Sequence, residues 1–166
     1  VISPGPANIL YAASGSAFGV SKTVPFWLGT NITSIFQTLS VGFGLDLTKR
    51  QLQASLKASG LPWERAKAFD GAAVFSEFVA VEGSIDDFRL ELHINGRLAQ
   101  EGGCDLMMYK PQTVLEDVGS FLSLEDGDLI MTGTPGGVGV IQAGDAFRGR
   151  IYAGRKLVVE ASWVAR

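Results

Sequence analysis

Asp46, Arg50 and Gln53 have the types and spacing of a site built at a strand end and on the first turns of a helix. An aspartate at a strand end is a fair ligand for a hard divalent cation, which takes oxygen donors. Arg50 and Gln53 are three apart and share one helix face. From there they can hold a substrate's carboxylate or carbonyl, the arginine as a two-pronged donor. The same residues also fit a solvated surface helix. Lys67, in RAKAFDG, can bind a carboxylate as a point charge or can simply face water. The stretch TGTPGGVG, residues 132–139, carries glycines that permit positive φ and close approach of a ligand to the backbone. Its successive N–H groups can form an anion-binding nest. It lacks the G-K-[ST] end of a phosphate loop and the spacing of a dinucleotide fingerprint, so an ordinary wide turn also fits. His93 is the single histidine and falls on the polar face of a strand beside a turn. Without a neighbouring nucleophile signature it makes neither a Ser-His-Asp nor a zinc site.

These residues need elements to position them. Thr48-Lys-Arg-Gln51 has the form of a capping box, which predicts a helix over 49–58 stopped by Gly60 and Pro62. Leu52 and Leu56 would form its apolar stripe. An extended segment should end at Asp46. Val74–Val81 is rich in Val and Phe and predicts a strand; Phe88–Ile94 alternates and predicts another. Asn95-Gly96 is a strong hairpin turn, with Arg97–Gln100 as the return strand. Thr113–Leu122 predicts a short helix with Val114, Val118, Phe121 and Leu122 inward. Strands follow at Leu129–Thr132, Phe147–Ile151 and Leu157–Val164. The class is mostly β with short helices (α+β).

Composition bounds the partners. The chain has 166 residues, enough for one real core. A net charge of -3 is a poor match to nucleic acid, which calls for clustered Lys and Arg. One cysteine, Cys104, excludes an internal disulfide and fits a reducing, cytoplasmic compartment. Charge is unevenly spread: residues 1–45 hold only Lys22, and 46–166 hold all the other charges. That step predicts a boundary between an apolar segment, 1–45, and a charged domain, 46–166. Residues 24–45 run 22 positions without a charge. Length permits a membrane span, whereas Asn31, Thr33, Ser34, Gln37, Thr38 and Ser40 fit a buried, glycine-rich core stretch. Both readings stand. The first residue is Val rather than Met, as in a fragment or a processed product.

Two resemblances sharpen this. SPGPANIL, ASGSAFGVSKTVPFWLG and LSVGFGL resemble the start of the lysine-exporter type of amino-acid efflux proteins. That likeness implies a helical segment in 1–45, with membrane contact through it. DLTKRQLQ, GLPWERAKAFDGAAVFSEFV, LELHINGRLAQEG and FLSLEDGDLIMTGTPGGVGVIQAGD resemble the fumarylacetoacetate hydrolase family. This second resemblance implies a mixed β-roll, here truncated, that works as a homodimer. It also implies a Mg²⁺ or Mn²⁺ site acting on acylpyruvates and related 2,4-diketo acids, usually by C–C hydrolysis. Some relatives decarboxylate oxaloacetate or isomerise. By the same resemblance Asp46 is the metal-binding aspartate of D-x-[ST]-x-R. Arg50 and Gln53 contact substrate, Lys67 holds the substrate near the metal as the catalytic residue, and Thr134 of T-G-T-P binds its carboxylate.

The pattern breaks upstream. The family adds a Glu-x-Glu metal pair, and no two glutamates in this chain are separated by one residue. The His and Glu that activate water in many members are also missing. The exporter-like stretch stands in that place and joins at Gly42–Leu45, as a junction of two gene fragments would. The expectation is an incomplete site with weak or absent metal-dependent turnover. The alternatives are a non-catalytic chimera and a transporter fragment with an incidental soluble tail.

Overall fold

The computed structural model describes residues 7–13, 39–125 and 127–166. Eleven elements position the site: β1 (Ala7–Ala13), β2 (Leu39–Asp46), α1 (Arg50–Ala58), β3 (Ala73–Phe75), β4 (Val79–Ala80), β5 (Phe88–Ile94), β6 (Arg97–Gly103), α2 (Pro111–Phe121), β7 (Leu129–Met131), β8 (Ala146–Ala153) and β9 (Lys156–Val164). They form two sheets. The first runs β3-β2-β1-β7, with β4 also on β2; the second is an antiparallel sheet in the order β6-β5-β8-β9. The mostly β class with two short α-helices is what the sequence predicts.

The core lies between the sheets. Val41, Phe43 and Leu45 alternate along β2 and meet Phe88, Leu90 and Leu92 of β5, Phe147 and Ile151 of β8 and Val159 of β9. Residues 41–45 therefore take the buried-core reading of the uncharged front. The closest approach is at Gly149. A Cβ there would overlap the ring of Phe43, so the sheets can touch only because β8 has no side chain at that point. The Phe43 ring also packs against Trp163, centroids 6.0 Å apart.

Several expectations need correction. Ala7–Ala13 is a strand and not helix, whereas the extended segment expected to end at Asp46 is β2, Leu39–Asp46. β1 sits between β2 and β7 and pairs its backbone on both sides, which a helix could not do. Residues 14–38, most of the candidate membrane span, lie outside the described residues; among those described, no helix is long and apolar enough to cross a membrane. The predicted strand over 74–81 is two short strands. Between them Ser76 exchanges bonds with Phe43, accepting its N–H at Oγ (2.8 Å) and donating its own N–H to the Phe43 carbonyl (2.8 Å). α2 begins two residues early, with Pro111 at its first turn, where a missing N–H costs nothing. Phe121 and Leu122 are exposed, not inward. α1 buries no residue: Leu52 is exposed, and the stripe rests on Leu56 alone.

The hairpin holds. Asn95 and Gly96 both have positive φ (52° and 77°), as a tight turn matching strand twist requires. The Asn95 side chain then reaches across to β8. Its Nδ2 donates to Asp145 Oδ1 (2.8 Å), and its Oδ1 accepts the Ala146 N–H (2.9 Å). Asp145 also accepts the Gln142 N–H (2.7 Å). These bonds, the Gln142 amide foremost, hold the Asp145 carboxyl below its ordinary value.

Two predictions follow from the packing. Gly149→Ala should lower stability by about 1–3 kcal/mol, the usual range for overpacking a filled core, read as a lower denaturant midpoint at unchanged m. Adding Phe43→Leu in that background should recover part of the loss. Asp145 has a lowered folded pKa, so its contribution is present above the unfolded carboxylate range and lost as pH falls through the folded value. The stability gap between wild type and Asp145→Asn should therefore narrow below about pH 4.

Candidate functional site

β2 carries Asp46 to the edge of the core, and the following turn is pinned by backbone. The Leu47 N–H donates to Ala72 O (2.7 Å) and the Lys49 N–H to Ala66 O (2.9 Å). This fastens the start of α1 to the segment that bears Lys67. Lys67 closes a single 3-10 turn over Glu64–Ala66, its N–H on Glu64 O (2.8 Å). Its ammonium then meets two acceptors. One is Asp46 Oδ1, in an ion pair; the other is Thr48 Oγ1 at 3.0 Å. Asp46 and Lys67 are both mostly shielded, with side-chain exposures of 23% and 30%. Thr48 is buried.

Thr48 was expected to cap α1. Lys49 holds the cap position instead, without a side-chain bond, because the Thr48 hydroxyl is turned to Lys67. A structural cap has become part of a charged cluster. Thr48 is the site residue that the element reading missed; its place two residues after Asp46 is the signal, since a strand continued past Asp46 puts both on one face. Arg50 is exposed on the first turn of α1 and Gln53 is half-buried.

Thr134 lies elsewhere, in the wall of a cavity of about 380 Å³ between the end of β6, the 104–110 segment, α2 and the loop after β7. The loop is clamped onto β6. Pro135 sits over Gly102, where a Cβ would come within 2.8 Å, and Gly137 (φ 95°) lies on the Ala99 carbonyl, leaving no room for a Cβ. It is a packed loop, not a free wide turn. Sheet register sends it off the same end of the sheet as Asp46. β1 is antiparallel to both β2 and β7, and Leu10 faces Gly42 on one side and Met131 on the other. β2 and β7 thus run the same way, and Asp46 and Thr134 leave the sheet at one end. Two strand spacings, about 10 Å, separate those strands.

His93 is half-buried rather than on the surface. Its Nδ1 is shielded without a hydrogen bond among the described residues, and it lines a second cavity with Arg148, Arg150 and Trp163. The perturbed carboxylates lie on the outer face of the second sheet, away from Asp46. Arg89 holds Glu91 down through a side-chain bond, and Arg150 does the same to Glu160 (2.5 Å).

A divalent cation does not fit these residues as they stand. Among the described residues no three His, Cys, Asp or Glu side chains converge. Residues 1–45 contain none of the four types. Asp46 is a single carboxylate already paired with an ammonium, where such a cation takes several oxygen ligands.

Residues 40–161 match the family model for the fumarylacetoacetate (FAA) hydrolase C-terminal domain. The chain belongs to the fumarylacetoacetate hydrolase family. The match starts inside β2, so Ser40–Leu45 fall within the family's span. Among curated relatives, the mitochondrial oxaloacetate tautomerase of Saccharomyces cerevisiae is 39% identical over 119 residues, covering 67% of this chain and 46% of the relative. A fumarylpyruvate hydrolase of Ralstonia is 36% identical over 109 residues, covering 65% and 57%. The chain therefore spans about half the length of the curated relatives it matches. Among solved structures, a fumarylacetoacetate isomerase/hydrolase-type protein of Oleispira antarctica superposes with a TM-score of 0.82 at 29% identity, over 99% of this chain and 71% of that one. A fumarylpyruvate hydrolase of Pseudomonas aeruginosa, solved with Mn²⁺ and pyruvate, shares the fold, with a TM-score of 0.76 at 24% identity over 99% and 65%.

The cluster can be tested directly. A double-mutant cycle with Asp46→Asn and Lys67→Met should give a coupling energy of about 1 kcal/mol, in the range of partly exposed ion pairs. Thr48→Val should reduce that coupling by loosening the ammonium; denaturant titration of the set measures both.

Proposed function

We infer that this chain acts on small 2-oxo acids of the acylpyruvate and oxaloacetate type, with its C–C hydrolysis impaired. One observation carries the reading. Lys67 is held by Asp46 and Thr48 at the end of β2, and the loop that bears Thr134 leaves the same end of that sheet. Lys67 supplies a fixed positive charge and Thr134 a hydroxyl for the substrate's carboxylate, while Arg50 and Gln53 contact the same substrate from α1.

The chemistry common to the two curated relatives is an enolate. In acylpyruvate hydrolysis, water adds to the C4 carbonyl and the C3–C4 bond breaks. Its electron pair passes to the C2 oxygen as pyruvate enolate, which takes a proton at C3; the acyl group leaves as a carboxylic acid. Keto–enol exchange of oxaloacetate passes through the same kind of anion without breaking a carbon–carbon bond. An ammonium set near the developing oxyanion stabilises it in either reaction, and removing one such donor costs about 10²–10³ in rate. The family's divalent cation, Mg²⁺ or Mn²⁺, would act there as a Lewis acid. This chain offers it Asp46 alone. Hydrolysis also needs an activated water, and no carboxylate or histidine of residues 1–45 can supply the base.

The assay follows acylpyruvate cleavage and oxaloacetate enol-to-keto exchange by loss of enol absorbance, with Mn²⁺ present and absent. Cleavage should run roughly 100-fold or more below that of a relative carrying the full ligand set, and Lys67→Met should remove most of what remains. Cleavage at the relative's rate, lost on Asp46→Ala, would show that the site is not impaired. Failure of the chain to bind pyruvate would remove the 2-oxo acid reading altogether.

A further inference from the structure

The cavity that carries Thr134 has a chemistry that a 2-oxo acid headgroup does not use. At about 380 Å³ it falls within the size range of small-molecule sites. Leu90, Met107 and Val114 line its interior, Leu106, Met108 and Tyr109 stand at its exposed rim, and the 132–135 loop forms one side. No Asp, Glu, Lys, Arg or His is among the described residues that line it. Two cations adjoin lining residues in sequence, Arg89 beside Leu90 and Lys110 beside Tyr109; Arg89 is paired with Glu91, and Lys110 turns its Nζ to the Cys104 carbonyl at 2.5 Å. A carboxylate pressed among these side chains would lose hydration and meet no cation among the described lining residues. A hydrocarbon tail would gain on every methylene buried, and two adjacent methionines adapt to tails of different shape.

We propose that this cavity is the acyl pocket of the 2-oxo acid site. It takes the uncharged, apolar tail of a 2-oxo or 2,4-dioxo acid whose carboxylate lies at Thr134, and it selects such monocarboxylates against dicarboxylates of the same shape. This rests on the preceding reading, that Thr134 and Lys67 hold the headgroup. It also separates the chain from its curated relatives. Oxaloacetate and fumarylpyruvate each end in a second carboxylate, which would here face Met and Leu side chains.

The test is calorimetric titration of the chain with unreactive 2-oxo acids, from pyruvate to 2-oxooctanoate. Each added methylene should tighten binding by about fourfold until the cavity is full, the ~0.8 kcal/mol of a buried CH₂. 5-Methyl-2-oxohexanoate should bind at least about tenfold more tightly than 2-oxoglutarate, its dicarboxylate of matching shape. Val114→Trp should fill the cavity so that long and short members bind alike. Leu106→Arg, at an exposed rim position that should not disturb folding, should raise affinity for 2-oxoglutarate. Suppose pyruvate binds and Lys67→Met weakens it, but tail length and a second carboxylate make no difference. The headgroup site then stands and the acyl pocket is overturned. Hexanoate binding as tightly as 2-oxohexanoate also overturns it, because the cavity would then act apart from the site. If no member of the series binds, both readings fall.

Discussion

The contact of Phe43 with Gly149 is the constraint on which the rest of the structure depends. It is where the two sheets come nearest, and it sets the height of β2 above β8. β2 cannot tilt or slide by one residue without driving the ring into β8 or turning Val41 and Leu45 out of the core, since strand side chains alternate with a period of two. Fixing β2 fixes where it ends, and it ends at Asp46. The position of the carboxylate is thus decided by packing several residues away, in a part of the chain with no charge. Gly42 does the same on the opposite face, where the Phe78 ring lies so close that a Cβ would come within 2.8 Å of it.

From that fixed end, the turn to α1 converts position into electrostatics. Two backbone bonds, Leu47 to Ala72 and Lys49 to Ala66, tie the chain after β2 to the segment bearing Lys67. The ammonium is therefore delivered to Asp46 by main chain, not by a long side chain searching for a partner. This matters because a half-shielded lysine left alone would pay for lost hydration. Asp46 and Thr48 together supply two of the acceptors its three N–H donors need. The third is left to face a ligand in the reading advanced above. The cost is a helix without a side-chain cap, about 1 kcal/mol in typical cases. The strand positions and the short 3-10 turn compensate by holding α1 from its first residue.

Local signals reached every strand of the second sheet and, in the first, all but β1. Phe88–Ile94 alternates cleanly because β5 has a core face and an opposite one, and the turn at Asn95-Gly96 needs the positive φ that these residues tolerate. β1 gave no such signal. It is flanked on both edges, and its sequence ANILYAA lacks the alternation that a half-exposed strand shows, so an apolar helix fitted equally well. Phe121 and Leu122 misled in a different way. Helical spacing says which residues share a face, not whether anything packs on it. At the site, Asp46, Lys67 and Thr134 were legible as residue types in a pattern. The pairing of Asp46 with Lys67 across 21 positions was not, because it depends on how the 64–67 turn meets the end of β2. Thr48 was visible only as a cap, since a hydroxyl's partner is decided by tertiary contact.

The charge-poor front has a consequence for chemistry as well as for folding. β2 lies against the second sheet along residues 41–45, so an ionised side chain on its core face would be buried without a partner. Composition meets that demand by leaving carboxylates, histidine and cysteine out of residues 1–45 altogether. The same omission leaves residues 1–45 without a carboxylate to join Asp46 on a cation. Asp46 is paired with Lys67, and in the function proposed above an incoming acid meets that ammonium, Arg50 and the loop that bears Thr134. Such a surface favours holding an anion over polarising a carbonyl between two oxygens of a chelate. In the proposed function, binding and enolate stabilisation depend on that surface alone, whereas hydrolysis also requires a second group to activate water.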